Sequence, residues 1–404
     1  MLKRKITYRL YPNASQEKRL HEVLIIHQRI YNEALGARIK AYRDEKRPLS
    51  FANQCKTLTL WRKNPHLSEI NAQSLQVTLK RLDLAFQAFF RRVKSGQTPG
   101  FPRFKSINRF PGWGYKTHGD GFRLLEGKEN KHGKIRLSGI GIISIRGGVR
   151  TKGLVKTCEI LHKAGKWYAS VTIECDPKRK CGEGAVGLDW GVQTFLVTHD
   201  TNGQTNFIDN PRHLKKALPT LKKLQQSISR KTNKLSKNRK DAIAKLAKAH
   251  AKLAHQRKDF QHQLTAKLIS QYSLIACETL SVKNMTKSGG NYKRGLNREI
   301  LSTAPTQFHS LLKSKAEEAG ALWIEIPTRE VKPTQTCYRC YRQNKKSLSE
   351  RIHRCDCGVI CNRDENSARV NLNWALKQVS GQELAELGSR RCLTMLNQET
   401  TTIP

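Results

Sequence analysis

The excess of positive charge is the feature that most constrains this chain. Its 404 residues include 75 Lys and Arg but only 32 Asp and Glu, which gives a formal net charge of +43. A compact fold must place these cations at its surface, where they repel one another unless an anionic partner neutralises them. Hydrophobic residues make up 37% of the chain and glycines add 27 positions, enough apolar content to build folded cores. The charge argues against an ordinary metabolic enzyme and favours nucleic acid as the ligand.

Length and hydropathy limit the architecture and the location. At roughly 150 residues per domain, the chain should form two or three domains. The first ten residues, MLKRKITYRL, lack the apolar core of a signal peptide, and no run near 18 apolar residues occurs. We therefore expect a cytoplasmic protein with no membrane partner.

The first half of the chain combines strand and helix patterns. Alternating apolar residues at 6–10 predict a strand, because successive side chains of a strand point to opposite faces. Apolar residues at helical spacing within 15–93 predict two or more amphipathic helices. Short strand-like runs within 122–174, with Gly and Lys in their turns, predict a small β-barrel or sandwich.

The second half has the pattern of an α/β domain. Three strand-like runs within 186–209 predict a β-meander. Residues 211–260 contain 16 Lys and Arg but only two Asp, and apolar residues at helical spacing predict a basic antiparallel helical hairpin from Lys215 to Lys267. A buried-strand run at 273–280, a helix at 305–319, a further strand, a cysteine cluster and a last helix follow.

Two basic segments are candidate nucleic-acid contacts. The Gly/Pro-rich loop at 95–106 places cations between aromatic residues, a composition suited to phosphates and stacked bases, although an ordinary basic connector is an equal alternative. The hairpin could be a solvated coiled-coil surface, but the overall charge favours nucleic acid. The candidate contacts are Arg103, Lys105, Lys222, Lys223, Arg230, Lys231, Arg257 and Lys258.

Three carboxylates stand where a charge is costly. Asp189 lies inside an apolar strand, Glu278 at the end of another, and Asp364 at the start of the last helix. Taken singly, Asp364 could cap its helix and Glu278 could meet solvent. Taken together in a polybasic protein, they suggest a divalent metal site, because Mg²⁺ prefers oxygen ligands and two such ions can clamp a phosphoryl group.

A cysteine cluster predicts a second metal. Cys337 and Cys340 form a CxxC pair, and Cys355 and Cys357 form a CxC pair, in a short segment with little apolar residue content. Four thiolates at these spacings can close a tetrahedral zinc site. Cys361 is a reserve ligand that could replace one of the second pair. Unrelated cysteines are the alternative.

The motifs together resemble a known family. GLDWGV, CETLSVKNM and RDENSARVNL resemble the three segments of a RuvC-type, RNase H-like nuclease domain. YRLYPNASQEKRL, GFPRFKS, RKDFQHQL, PTQTCYRCY and RCDCGV extend the likeness to the TnpB family of transposon-encoded OrfB proteins, regarded as RNA-guided DNA endonucleases ancestral to type V CRISPR effectors. The resemblance covers about residues 2–376.

The resemblance implies a multidomain fold, α/β plus β-barrel. An N-terminal "wedge" β-barrel is interrupted by a helical recognition lobe, and an RNase H-like (RuvC) nuclease domain carries a zinc-binding insert that contacts target nucleic acid. The implied boundaries are 1–14 and 96–181 for the wedge, 15–95 for the lobe, 182–330 and 362–377 for the nuclease, 331–361 for the insert, and 378–404 for a flexible tail.

It also implies an activity. Asp189, Glu278 and Asp364 would bind Mg²⁺ or Mn²⁺ and cut double-stranded DNA beside a short adjacent motif, directed by a guide RNA from the transposon end. Such a protein would work at the prokaryotic nucleoid. Two alternatives are a strand-joining transposase that uses the same acids and a guide-dependent DNA-binding regulator without cleavage.

Overall fold

The computed structural model describes residues 2–125, 133–147, 153–287, 289–347 and 350–379. The chain divides into two compact units, Met1–Asp176 and Pro177–Pro404. The segment expected to be a flexible tail, 378–404, lies outside the described residues apart from its first two. Within the described parts, no helix combines the length and the apolar character needed to cross a bilayer.

The described residues of the first unit form one long strand, four helices and seven further strands. In chain order these are β1 (Leu2–Tyr11), α1 (Ala14–Glu45), α2 (Phe51–Trp61), α3 (Pro65–Ser68), α4 (Ala72–Lys94), β2 (Gly112–Tyr115), β3 (Thr117–His118), β4 (Gly121–Leu125), β5 (Lys134–Leu137), β6 (Gly141–Ile145), β7 (Leu154–Lys163) and β8 (Lys166–Cys175). The predicted N-terminal strand and the helices after it are confirmed.

The eight strands of this unit make one curled sheet in the order β2-β7-β8-β1-β6-β5-β4-β3. β2 and β3 lie at opposite edges of that order, yet only Lys116 separates them along the chain. The sheet must therefore curl until its edges approach each other, and it forms a nearly closed, barrel-like sheet rather than a sandwich of two sheets.

Helices α1 and α4 pack together over this sheet. α1 begins at a capping box, in which the Asn13 side chain accepts from Gln16 N and the Gln16 side chain accepts from Asn13 N. The fully buried His27 stacks on Trp113 with ring centroids 5.5 Å apart. Burial lowers the pKa of His27 to about 3, so it is a neutral core residue.

The described residues of the second unit form seven helices and seven strands. In chain order these are β9 (Ala185–Trp190), β10 (Thr194–Asp200), β11 (Thr205–Asp209), α5 (His213–Ser229), α6 (Lys237–Gln271), β12 (Leu274–Glu278), α7 (Val282–Met285), α8 (Asn291–Thr303), α9 (Pro305–Ala319), β13 (Leu322–Ile326), α10 (Thr328–Val331), β14 (Ile352–Arg354), β15 (Ile360–Asn362) and α11 (Arg363–Gln378). The predicted meander, helical hairpin, strands and helices are confirmed, and α9 has the predicted bounds.

Five of these strands form a sheet in the order β11-β10-β9-β12-β13. β9, β10 and β11 are antiparallel neighbours, whereas β12 is parallel to both β9 and β13. One face of the sheet shares an apolar core with α6 and α9, in which Leu188, Cys277 and Phe308 are buried. The other face packs against α11 through a smaller core that includes Leu274, Ala276 and Leu372.

Candidate active site and metal centre

The pairing of β9 with β12 brings two of the three acids together. The strands are parallel and Cys277 lies opposite Leu188, so the next residues, Glu278 and Asp189, stand at one level on neighbouring strands. Such strands are about 4.8 Å apart. Side chains alternate along a strand, and Leu188 and Cys277 face the α6 and α9 core. Asp189 and Glu278 therefore both face α11.

The third acid, Asp364, is held in the first turn of α11. α11 approaches β9 closely at Gly187, where an added Cβ would lie 2.1 Å from the carbonyl oxygen of Ala368. The Asn371 side chain donates to the carbonyl of Leu188 at 2.9 Å, which fixes the helix beside the residue before Asp189. Only glycine permits this approach, and so the helix start lies near the two strand acids.

Asn362, not Asp364, caps α11. Its side chain accepts from the backbone N–H of Asp364 at 2.8 Å and of Glu365 at 3.4 Å. Asparagine is among the best N-cap residues, which explains why Asn362 stands directly before this helix. The reading of Asp364 as a mere cap is therefore wrong, and its carboxylate is available for other contacts. Arg363 Nε lies 3.4 Å from Asp364 Oδ1.

Burial and the neighbouring carboxylates raise the pKa of the two strand acids, Asp189 and Glu278. Asp189 is only 6% exposed. Burial first, then the carboxylates of Glu278 and Asp364, hold the pKa of Asp189 well above its ordinary value, while Arg363 acts in the opposite direction. Burial raises the pKa of Glu278 to about 7, and the Asp364 carboxylate adds to this, while hydrogen bonds with Asn371 and Asp189 act in the opposite direction. The Oε1 atom of Glu278 is buried without a hydrogen-bond partner among the described residues, so the reading of Glu278 as a solvent-facing strand end is also wrong.

An arrangement of this kind suits divalent cations. Each ionised carboxylate raises the free-energy cost of ionising the other two. A divalent cation bound among them offsets this cost. In the described part of the chain, only the cysteine cluster has three or more Cys, His, Asp or Glu ligand atoms mutually within 4.8 Å. The ligand oxygens of the three acids are therefore not all within 4.8 Å of one another.

The four predicted zinc ligands, Cys337, Cys340, Cys355 and Cys357, lie together. All four Sγ atoms are within 4.8 Å of one another, with 3.7 Å between the first and last and 3.4 Å between the middle two. Tetrahedral Zn–S bonds of about 2.3 Å require sulfur atoms about 3.8 Å apart, so the cluster fits zinc. Cys361 lies on β15, opposite His353 on the neighbouring strand β14, and is outside this group. Its role as a reserve ligand has no support in the geometry.

The cysteine cluster is tied to the helix that carries Asp364. Asn366 of α11 donates to the carbonyls of Pro333 at 3.2 Å and Thr336 at 2.7 Å, and its Oδ1 accepts from Tyr338 N. Asn373, further along α11, donates to the carbonyl of Tyr338 at 3.0 Å. The loop that supplies the first two cysteines is thus held by the same helix as Asp364.

Sequence reasoning missed the residues that hold this site in place. Asn366 and Asn371 are fully buried on α11, and Gly187 allows the helix to reach the sheet. Asparagine at an otherwise apolar position of a helix is a signal that could have identified the first two. The importance of Gly187 depends on what packs against it, and no local pattern contains that information.

The predicted nucleic-acid contacts of the hairpin differ in exposure. Lys222, Lys223, Arg230 and Lys258 are exposed. Lys231 is half-buried. Arg257 is also half-buried, and its Nη1 donates to the carbonyl of Ser302 at 3.3 Å, which ties α6 to the end of α8. Four of these six side chains are therefore freely placed to meet a ligand.

The two predicted contacts of the 95–106 loop also differ. Arg103 is exposed, whereas Lys105 is half-buried, with its Nζ 4.7 Å from the centroid of the Tyr31 ring. The main chain of Lys105 is bound to α1: its N–H donates to Asn32, and its carbonyl accepts from Asn32 and Gln28. Lys105 therefore anchors the loop, and Arg103 is presented to solvent.

Two solved structures share this fold. The first is titled "Cryo-EM structure of the Cas12f1-sgRNA-target DNA complex", with a TM-score of 0.59 and 14% identity over 92% of this chain and 98% of that one. The second is titled "Structure of the mini-RNA-guided endonuclease CRISPR-Cas_phi3", with a TM-score of 0.51 and 11% identity over 92% of both chains. The fold is that of these compact effector proteins.

Sequence comparisons then identify the family. An OrfB family model described as "Probable transposase" matches residues 168–289, and a "Cas12f1-like, TNB domain" model matches 306–371. A relative from Streptomyces pristinaespiralis, named "Putative RNA-guided DNA endonuclease", is 30% identical over 91% of this chain and 88% of its own length. InsQ of Escherichia coli K12, which carries the same description, is 27% identical over 90% of each chain. The chain belongs to the TnpB family of transposon-encoded OrfB proteins.

A third family model, described as "Helix-turn-helix domain", matches residues 1–47. In this segment the structure has β1 followed by one continuous helix, α1, over Ala14–Glu45. The segment therefore does not contain the two helices that this description implies, and no recognition helix can be assigned there.

Proposed function

We propose that this protein is an RNA-guided DNA endonuclease that cuts DNA by metal-assisted phosphodiester hydrolysis at one RuvC-like site. The convergence of Asp189, Glu278 and Asp364, with raised pKa values at the two strand acids, is the observation that carries the proposal. The names of the relatives, both described as RNA-guided DNA endonucleases, support it. All three acids are present, which disfavours a regulator that binds without cutting.

Each acid has a role in this mechanism. Asp189, Glu278 and Asp364 would together hold the Mg²⁺ or Mn²⁺ ions through their carboxylate oxygens. Such ions, when bound, would supply Lewis-acid stabilisation of the scissile phosphate and a more acidic water as the nucleophile. Burial around Asp189 excludes bulk water and strengthens the electrostatic contacts inside the site.

The partners are a guide RNA from the transposon end and double-stranded target DNA that carries a short adjacent motif. The basic hairpin of α5 and α6 would hold the guide–target heteroduplex by its backbone, without reading sequence. The nearly closed sheet and the helices α1–α4 would serve as the wedge and the recognition lobe. The cysteine cluster would bind structural zinc and support a target-binding insert, and the protein would act at the nucleoid.

The test is DNA cleavage by the full chain, purified with its own RNA, which is sequenced to design a target plasmid with a randomised flanking motif. Asp189→Ala should abolish cleavage and leave DNA binding within about twofold. Glu325→Gln is the matched control, because Glu325 lies opposite Cys277 on β13 but is exposed and paired with Lys313. It should cut like the wild type.

Three outcomes would contradict the proposal. Comparable cleavage by Asp189→Ala would remove the site assignment. Joined donor and target strands, rather than double-strand breaks, would identify a strand-joining transposase, the activity named by the matching family model. Guide-dependent binding without any cleavage by the wild type would identify a regulator.

A further inference from the structure

An exposed aromatic cluster at the end of α4 is not used by the proposed nuclease site. Phe90 is 61% exposed, Phe101 47% and Phe104 59%. The first belongs to the last turns of α4, and the other two lie in the 95–106 loop that follows it. Exposed aromatic groups of this size usually mark a binding surface.

Two of the three rings, those of Phe90 and Phe101, pack on other aromatic rings. Phe90 packs on Phe86 and Phe89, with ring centroids 6.2 and 5.2 Å away. Phe101 packs edge-on against the same two rings at 5.6 and 5.3 Å. Phe86 is buried in the core, with the guanidinium of Arg38 5.0 Å from its ring centroid. The Phe90 and Phe101 rings therefore rest on a fixed aromatic base.

The loop that carries two of these rings is also fixed. Lys105, next to Phe104, is bound to α1 through both its main chain and its ammonium group. Cε1 of Phe104 lies 3.9 Å from the position that a Cβ of Gly36 on α1 would occupy. Rings held in this way lose little conformational entropy when a ligand covers them.

The segment that carries these rings is rich in cations and contains no acids. Residues 84–119 include seven Lys and Arg but no Asp or Glu. Arg91, Arg92, Lys94 and Arg103 are exposed. Among the described residues, none of these four forms an ion pair. The surface thus combines flat apolar faces with unpaired positive charge.

This combination selects one class of partner. A second copy of the chain would bring the same cations face to face, and like charges oppose such contact. A nucleic-acid duplex offers phosphates, but its bases are stacked inside. Unpaired nucleotides offer both phosphates and exposed base faces, and base–aromatic stacking tolerates any sequence.

We propose that Phe90, Phe101 and Phe104, with Arg91, Arg92 and Arg103, form a stacking platform for unpaired nucleotides. The proposal rests on the proposed function for the source of those nucleotides, either an unpaired part of the guide RNA or the DNA strand displaced from the target. The shared chemistry is an exposed base on a phenyl ring with its phosphate on a guanidinium group.

The test is binding of a 20-nucleotide single strand by the full chain freed of copurified RNA, measured by fluorescence anisotropy beside a duplex of equal length. The double variant Phe90→Leu/Phe104→Leu keeps the surface apolar but removes two rings. It should bind the single strand about tenfold more weakly or worse. Its affinity for the duplex should stay within about twofold.

The matched variant Phe90→Trp/Phe104→Trp keeps the ability to stack. It should bind the single strand at least as well as the wild type, and its new tryptophan fluorescence should be quenched on binding. Ultraviolet cross-linking of iodouracil-substituted RNA and DNA strands to these positions would then identify the source, since the natural ligand should cross-link more efficiently.

Several results would overturn the platform. The leucine variant could bind the single strand like the wild type, or the tryptophan variant could lose as much affinity as the leucine variant. Self-association of nucleic-acid-free wild type that the leucine variant abolishes would identify a second copy as the occupant. None of these results depends on cleavage, so they are distinguishable from a failure of Asp189→Ala to lose activity.

Discussion

At the scale of the residue, repulsion among the carboxylates of the site destabilises the folded protein when no cation is bound. Asp189 and Glu278 meet on neighbouring parallel strands under the start of α11, where both are withdrawn from water and face a third carboxylate. Interacting residues do not contribute additively to stability, so this destabilisation is a property of the three acids together. A site of this kind is less stable without its cation than with it, and that difference can be measured.

We expect Asp189→Asn to stabilise the metal-free protein. The pKa of Glu278 is raised from an ordinary value of 4.5 to about 7, so the unfolded chain ionises first as the pH rises. Stability is therefore lost as the pH rises from about 4.5 to 7, by up to about 1.4 kcal/mol per pH unit for one group. Asp189 itself has a pKa held well above its ordinary value by burial and by the carboxylates of Glu278 and Asp364, so replacing it by Asn should recover on the order of 1–3 kcal/mol at pH 8.

Thermal unfolding in EDTA between pH 5 and pH 9 is the measurement. The variant should melt at a higher temperature than the wild type at pH 8, and the two should converge near pH 5. Mg²⁺ should raise the melting temperature of the wild type more than that of the variant. A wild type that is the more stable of the two in EDTA at pH 8 would contradict the electrostatic account.

At the scale of the element, α11 connects the two candidate metal sites. Its first turn carries Asp364, and the buried Asn366 two residues later holds the loop that contains Cys337 and Cys340. Four thiolates at zinc spacing close that loop. Without the metal, the short strands β14 and β15 have little core of their own, and the start of α11 loses its support.

We therefore expect Cys337→Ser to release zinc and to reduce DNA cleavage at least about tenfold, because the start of α11 is displaced. The matched control is Cys361→Ser, since Cys361 lies close by on β15 but outside the group of four. Metal analysis of the purified proteins by mass spectrometry and the cleavage assay are the measurements. Full zinc content in Cys337→Ser, or loss of zinc in Cys361→Ser, would show that the ligand set is different.

At the scale of the whole molecule, the charge of +43 sets how the protein meets its ligands. The described ion pairs engage few of the 75 Lys and Arg, and the exposed face of the α5–α6 hairpin is rich in unpaired cations. Such a surface raises the local concentration of nucleic acid and speeds association. Binding through phosphates also releases counterions, which makes the affinity depend on salt.

The affinity for a duplex should fall steeply between 50 and 200 mM salt, with a logarithmic slope of about −4 to −5 if the five exposed candidate cations all contact phosphate. Lys222→Gln/Lys223→Gln should reduce that slope by about two, because both side chains are exposed on the hairpin. Lys313→Gln should leave it unchanged, since Lys313 is paired with Glu325 at 3.1 Å. A flat salt dependence would mean that the positive charge has another purpose.

Much of the fold could be predicted because the signals were local. The run IACETL predicts a buried strand whatever surrounds it, and Pro305 and Gly320 mark the two ends of α9. The nucleic-acid contacts of the 95–106 loop were harder to predict. Arg103 and Lys105 are two residues apart in one basic, aromatic segment, yet Arg103 faces solvent and Lys105 contacts the Tyr31 ring. The choice between barrel and sandwich also required the strand order, which depends on pairing between distant segments.

The sequence by itself determined the element types, the charge that favours a nucleic-acid ligand, and which acids and cysteines are the candidate metal ligands. Those properties follow from residue type and spacing along the chain. Only the tertiary structure decided that Asp189 and Glu278 stand at the same level, that Asn362 frees Asp364 from capping, and that Gly187 lets α11 approach the sheet. Register and close packing depend on contacts between residues far apart in sequence, and no local pattern specifies those contacts.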